Sequence, residues 1–498
     1  MAHAAITSGP MAVGWVATIL YFAIRSTLKR RVKSNNTSRS IRNASLGGSE
    51  VIDQFELADE VGDEVSVSFL ANRMVSGVSG FSFIQRPNSE VFKANMYGSS
   101  TVVQVGLEVL MAEDCKPLHD HKVGLLTNPT GINNKLEHAV DLLHQHRKVH
   151  LAAVFGPEHG FRGVAQAGAS EKGFTKDYRT GVPVYDLYGV RGKKLMTMLE
   201  SSGIECLVFD IQDVGARFYT YIWLLFDCMV ACAKLGVKVV VLDRPNPVGG
   251  NMVEGPLLKS GFESDVGRKA ITLRHGMTAG ELALLFNTEH VAEHSKSPCQ
   301  LHVVCMKGWY RNMAYRDTGL PWVPPSPNMP TADTALVYSG MGLFEGTNCS
   351  EGRGTTLPFQ LIGAPWVDHR LAAAAQAAVK QGLVQGAAFR EVYFCPQFGK
   401  HAGITLCGVQ VHITDHGMFE PVRAAVVLMV SMKKLYGSEF KWRPCGVGSK
   451  HFIDLLVGSS TLREAIDNNR SVDEILAIWQ HDLIWFKTLR AQFFLYSE

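Results

Sequence analysis

The chain has 498 residues, 46% hydrophobic and 19% charged, with a formal net charge of +3. This is ordinary globular composition, long enough for two or three domains. So small a charge, without a basic stripe interleaved with aromatics, argues against a nucleic-acid partner. Ten cysteines without a C-x-x-C pair argue against a disulfide framework or structural zinc.

The first hundred residues stand apart. No residue from Ala4 to Ile24 is charged, and seven Lys or Arg follow before the first acid, Glu50. A secretory signal carries its positive charge ahead of the apolar run, not after it. Residues 4–24 therefore read as a membrane anchor, diluted by Thr7, Ser8, Gly9 and Pro10, or as an organelle-targeting presequence. A disordered tail is the plainer alternative. An anchor with these charges would leave the body on the cytosolic side. Residues 34–95, rich in Ser, Asn and Gly, read as a flexible linker. The expected organisation is an N-terminal region over 1–95, a catalytic domain over 96–328 and a smaller domain over 329–498.

The body opens with apolar runs that alternate with helical patterns. "KVGLLTN" (122–128), "VHLAAVFG" (149–156), "IECLVFD" (204–210) and "VKVVVLD" (237–243) are continuous runs, as in strands covered on both faces. Between them, "LEHAVDLLHQH" (136–146) and "TYIWLLFDCMVACAKLG" (220–236) read as helices, the second closing on Gly236. Cys228 and Cys232, four apart in that helix, are expected to be small buried residues. The pattern predicts an α/β fold with a Rossmann-like, mostly parallel sheet.

Each run ends in polar residues. The first leads to Asn128, the second to Glu158 and His159, the third to Asp210, Asp213, Arg217 and Tyr219, and the fourth to Asp243, Arg244 and Asn246. In a parallel sheet these ends share the edge where ligands bind, so they predict a polar ligand site. A nucleotide is not indicated. The first strand leads into "NPTG" rather than G-x-G-x-x-G, and no G-x-x-x-x-G-K-[ST] occurs.

"GLPWVPPSPNMP" (319–330) is stiff and extended, an interdomain link or the wall of a cleft with Trp322 as a flat face. "ALVYSGMGLFEGTNCSEGRGTT" (335–356) reads as a glycine-rich loop carrying Glu345, Asn348, Glu351 and Arg353. "LAAAAQAAVKQG" (371–382) is a helix by propensity, and "ITLCGVQVHITD" (404–415) a strand of a smaller α/β domain. A helical region over 462–495 closes the chain.

The motifs "KVGLLTNPTG", "FGPEHGFRG", "GVPVYDLYG", "VFDIQDVGARFYTYI", "LDRPNPVGG", "RHGMTAGELA", "GLPWVPPSPNMPT" and "LFEGTNCSEGRGTT" follow one another as in the exo-β-N-acetylmuramidases of the NamZ type, formerly a domain of unknown function. The resemblance covers about four fifths of the chain, from about residue 105 onward. Val164 departs from it, standing where the family pattern has an acid. The resemblance implies a Rossmann-like domain, a smaller α/β domain and an active-site cleft between them. It implies removal of terminal non-reducing N-acetylmuramic acid from peptidoglycan fragments, with no metal and no organic cofactor. Glu158 falls on the acidic position the family uses for catalysis.

Glycoside cleavage needs an acid for the leaving oxygen and a second group for the cationic sugar centre. Glu158 is the candidate acid if burial or nearby negative charge raises its pKa, with His159 tuning it or merely capping. Asp210, Asp213 and Tyr219 are candidates for the second role, although Asp213 could instead orient Arg217. The lactyl carboxylate of N-acetylmuramic acid suits an arginine fork, for which Arg217, Arg244 and Arg353 are candidates. Asn128, Asn246 and Asn348 could read hydroxyls or the acetamido group, and Asp243 could pair with Arg244 or sit at a helix start. The competing readings are a sugar-binding protein without turnover, a hydrolase of a related amino sugar, and a nucleotide-dependent enzyme.

Overall fold

The computed structural model describes residues 102–162, 175–446 and 450–498. The chain divides into two units, residues 1–96 and 97–498, and everything described falls in the second. The apolar segment 4–24, the basic run, the linker up to residue 95, and Val164 lie outside the described residues.

Six strands form the main sheet: β1 (Lys122–Thr127), β2 (His150–Gly156), β3 (Val184–Asp186), β4 (Cys206–Asp210), β5 (Lys238–Leu242) and β6 (Leu301–Val304). Their order is β3-β2-β1-β4-β5-β6 and every pairing is parallel. Strands β1, β2, β4 and β5 match the four apolar runs. Leu207 and Phe209 of β4 pack into one core while Cys206 and Val208 pack into another on the opposite face. Val239 and Val241 of β5 are divided from Val240 and Leu242 in the same way. Burial on both faces is why these strands show no alternation. The chain moves outward from β1 through β2 to β3, then returns to place β4 on the other side of β1. A doubly wound sheet opens a crevice at this reversal, beyond the strands' carboxyl ends.

Helix Tyr221–Leu235 lies under the sheet and ends on Gly236 at φ 71°, the left-handed cap a glycine permits. The stretch 335–356 is not a simple loop. Residues Ala332–Met341 form a helix, capped by Thr331 accepting from the Thr334 amide, and Gly342–Gly346 add a 3-10 turn. Every residue from Thr334 to Met341 is buried, so no amphipathic stripe announces the helix. Its glycines mark close packing instead. A Cβ on Gly340 would lie 1.8 Å from the Pro421 carbonyl oxygen, so only glycine lets that backbone approach.

The second sheet is antiparallel, with β7 (Leu361–Ala364), β8 (Ala387–Phe394) and β9 (Leu406–Ile413) in the order β7-β9-β8. Helix Arg370–Lys380 packs on it, helix Pro421–Tyr436 packs against that helix and against Ala332–Met341, and the C-terminal region comprises helices Thr461–Asp467, Val472–Ile478 and Gln480–Arg490. One apolar core runs from Phe209 and Trp223 through to Ile362, Val409 and Trp479. A buried ion pair reinforces that junction. Arg274 donates to Glu254 and to the Phe419 carbonyl, both at 3.1 Å, and Glu254 accepts from the Val422 amide. Among the described residues no helix is long and apolar enough to cross a membrane.

Candidate active site

A cleft of about 1030 Å³ lies beyond β2 and is lined from both sides, by residues 158–266 and 326–329 and by residues 338–452. Glu158 enters it from the end of β2. The turn Pro157–Gly160 closes through the Gly160 amide donating to the Pro157 carbonyl at 2.9 Å, with His159 at φ 72°. A histidine held in left-handed backbone is uncommon and costs free energy. The turn leaves Glu158 half-buried in the cleft wall and His159 buried beside it. Thr220 donates its hydroxyl to Glu158 Oε2 at 3.1 Å. Tyr221 donates to the Pro325 carbonyl at 2.7 Å, fixing the proline-rich segment against this corner.

That segment is a cleft wall, contributing Ser326, Asn328 and Met329. Trp322 does not line the cleft. Its indole N–H donates to the Met329 carbonyl, and its ring meets Tyr315 edge to face.

Tyr219 also reaches the cleft, packed edge to face against Tyr221 and Tyr338. Burial, with the Tyr221 ring beside it, pushes its phenol well above the ordinary range. A tyrosinate is therefore disfavoured here.

Most of the polar strand ends serve the scaffold rather than the cleft. Arg244 grips Asp210 through Nε at 2.6 Å and Nη2 at 3.0 Å and also donates to the Ile132 carbonyl. Asp210 is 0% exposed and Arg244 6%, so neither offers its charge to a ligand. Arg217 is fully buried and donates to the carbonyls of Pro256, Ile271 and Leu456. Burial lowers its pKa, and its fork is occupied by backbone, not by Asp213. Asn128 caps its own turn through Thr130 and donates to the Pro325 carbonyl. Asn246 braces a turn, accepting from the Val248 amide and donating to the Met277 carbonyl. Asp243 sits at the start of helix Ala279–Phe286, accepting from Gly280, Thr278 and Tyr496. Asp213 accepts from the Gly215 amide at 2.7 Å and lies 3.4 Å from His275 Nε2. It is buried and does not line the cleft.

The far wall carries the charges. Arg353 pairs with Glu345 at 2.9 Å and lies 3.6 Å from Glu351. Burial works against its charge, but the two carboxylates outweigh it and hold its pKa above the usual value. Lys400, on the β8–β9 connection, donates to the carbonyls of Phe344 and Cys349 and pairs with Glu351 at 2.9 Å. Asn348 lines the cleft, but its amide is committed to structure. It donates to the Glu439 carbonyl and accepts from the Lys441 amide, while its own N–H donates to the Lys441 carbonyl. This strap brings Lys441, Trp442 and Arg443 to the cleft. Trp442 is held by its indole N–H donating to Asp467.

Sequence reading missed Thr220, Ser326, Lys400 and the strap. Only the strap carried a local signal, the cation–aromatic–cation run "KWRP" (441–444). Among the described residues no cluster of three or more His, Cys, Asp or Glu is placed to hold a metal ion.

Models of the two halves of one family match most of the chain: exo-beta-N-acetylmuramidase NamZ, N-terminal, over residues 123–333, and its C-terminal counterpart over 336–496. The peptidoglycan beta-N-acetylmuramidase NamZ of Bacillus subtilis (strain 168) is 42% identical over 423 residues, spanning 85% of this chain and 98% of the relative. Crystal structures of two DUF1343 family proteins from Bacteroides fragilis NCTC 9343 share the fold. One has TM-score 0.70 and 36% identity, covering 79% of this chain and 99% of that one. The other has TM-score 0.63 and 32% identity, covering 80% and 100%.

Proposed function

The chain belongs to the exo-β-N-acetylmuramidase NamZ family, and from that premise we propose that it is a glycosidase. It removes terminal, non-reducing, β-linked N-acetylmuramic acid from peptidoglycan-derived saccharides.

The observation that carries the proposal is the position of Glu158. Its side chain lines the main cleft and also a smaller cavity of about 340 Å³ shared with Tyr188, Arg191 and Arg268. An acid in the wall between two cavities can protonate the oxygen joining a sugar on one side to a leaving group on the other. Thr220, donating to Oε2, fixes which oxygen turns toward that bond. Trp442 adds partly exposed aromatic surface to the cleft, suited to the apolar C–H face of a sugar ring. Residues 4–24 are proposed to direct the chain to a membrane or an organelle, supported by the uncharged run and the basic segment after it. A tagged full chain diffuse in the cytosol would overturn that part.

The test uses the full chain with a nitrophenyl β-N-acetylmuraminide, the matching N-acetylglucosamine glycoside, and a muramic-acid-terminated disaccharide. Release is expected from the two muramic substrates only. Glu158→Gln should lower turnover of the disaccharide by about 10²- to 10⁴-fold. The nitrophenyl glycoside should lose less, because its leaving group needs no proton. Equal losses on both would refute the acid role, and no release from any substrate would favour a sugar-binding protein.

A further inference from the structure

N-acetylmuramic acid differs from N-acetylglucosamine by an ether-linked lactyl group that ends in a carboxylate. If the proposed reaction is right, on which this inference rests, the cleft needs a cation free to meet that group. Four cationic side chains with fixed positive charge line it: Arg353, Lys400, Lys441 and Arg443. Arg353 is already shared between Glu345 and Glu351. Lys400 donates to the Phe344 and Cys349 carbonyls and forms an ion pair with Glu351 at 2.9 Å. Internal pairing thus occupies both of these cations.

The two cations of the strap differ. Neither Lys441 nor Arg443 has a carboxylate within ion-pair distance among the described residues. Arg443 is the better placed of the two. Its amide donates to the Gly346 carbonyl and its carbonyl accepts from the Phe452 amide, each at 2.8 Å, so its backbone is fixed on both sides. Its guanidinium lies 4.8 Å over the ring of Phe452, itself a cleft residue. A stacked, planar fork loses little freedom on binding a carboxylate and can offer two parallel N–H donors, which a lysine cannot. Asn348 supports this indirectly, since its amide ties the strap to the cleft wall.

We propose that Arg443 is the receptor for the substrate's free lactyl carboxylate and thereby sets the preference for muramic over glucosamine glycosides. Lys441, a strongly hydrated point charge on a flexible stem, adds only long-range attraction.

The experiment compares wild type, Arg443→Ala and Arg443→Lys in the full chain. Four nitrophenyl glycosides are used: the muramic acid, its lactyl methyl ester, a derivative whose lactyl group carries a short peptide, and N-acetylglucosamine. Wild type should prefer the free acid to the ester. Arg443→Ala should reduce kcat/KM on the acid by about 10- to 100-fold, mostly through KM, so that the acid-to-ester ratio falls toward one. Arg443→Lys should recover part of the ratio. An acid-to-ester ratio unchanged by Arg443→Ala overturns the inference while the proposed reaction stands. A larger loss on the peptide-bearing substrate than on the free acid overturns it in favour of the peptide's own carboxylates. Absence of turnover by wild type on every muramic substrate refutes the reaction itself.

Discussion

Replacing Arg244 by methionine separates two accounts of a residue that sequence alone places in the site. Its guanidinium makes two hydrogen bonds to Asp210 and one to the Ile132 carbonyl, and Asp210 is wholly buried. Methionine fills a similar volume but leaves the Asp210 carboxylate without its counter-charge. Removing one partner of a buried pair costs about 3–5 kcal/mol. Folded proteins have about 5–15 kcal/mol in total, so this is a substantial share. The thermal midpoint should fall by about 5 °C. Turnover of the muramic glycoside well below the new midpoint should stay within about threefold of wild type, since neither residue lines the cleft. Adding Asp210→Leu should restore part of the stability, because an apolar pair removes the stranded charge. Differential scanning calorimetry and steady-state kinetics on the same preparations decide the matter. A variant with an unchanged midpoint and turnover reduced a hundredfold would place the guanidinium on the substrate and refute the burial argument.

Two further outcomes follow from buried titratable groups. Tyr219→Phe should keep kcat within about tenfold near neutral pH, because burial holds the phenol protonated there; a loss of several orders of magnitude would restore it as nucleophile. Asp243 is raised by burial to about 6 from an ordinary 3.8, despite donors from Tyr496, Thr278 and Gly280. The folded state therefore holds this proton more tightly than the unfolded one. Asp243 contributes stability that is complete below about pH 4 and lost as pH rises through about 6, amounting to roughly 3 kcal/mol. Asp243→Asn keeps the acceptor for the Gly280 amide and does not titrate. Urea denaturation should show the variant gaining on wild type by about that amount between about pH 4 and pH 7. A pH-independent difference between the two proteins would contradict it.

The parallel sheet was legible because its central strands are buried on both faces, which writes them as uninterrupted Val, Leu and Ile. Strands β3 and β6 were not, for the opposite reason. They lie at the sheet's edges, run three and four residues, and are partly exposed, so they lack the apolar run that marks their neighbours. The sequence of helix Ala332–Met341 reads as loop because helical propensity and amphipathicity both fail for an element buried on all sides. Gly340 reads as a breaker in isolation, yet here it admits the Pro421 backbone.

The site divides along a similar physical line. A parallel sheet ends in backbone groups that need partners away from bulk water, so polar residues at strand ends have a structural use before any ligand arrives. Thr127 donates to the Asp210 carbonyl, Thr130 accepts from the Gln212 amide, and Gln212 donates to the Pro245 carbonyl. Asn128, Asp210, Arg244 and Asn246 belong to this stitching, and nothing in their spacing distinguishes them from Glu158. What distinguishes Glu158 is the turn that carries it, with a histidine forced into left-handed backbone so that the acid meets the cleft. The motif "LFEGTNCSEGRGTT" mixes the two kinds within a few residues. Glu345, Glu351 and Arg353 form a charge cluster on the cleft wall, whereas the Asn348 amide braces the strap bearing Arg443. Specificity for an acidic sugar is thus proposed to depend on a cation that lies outside the motif, on a strap that the Asn348 amide and the Gly346 carbonyl both tie to the cleft wall.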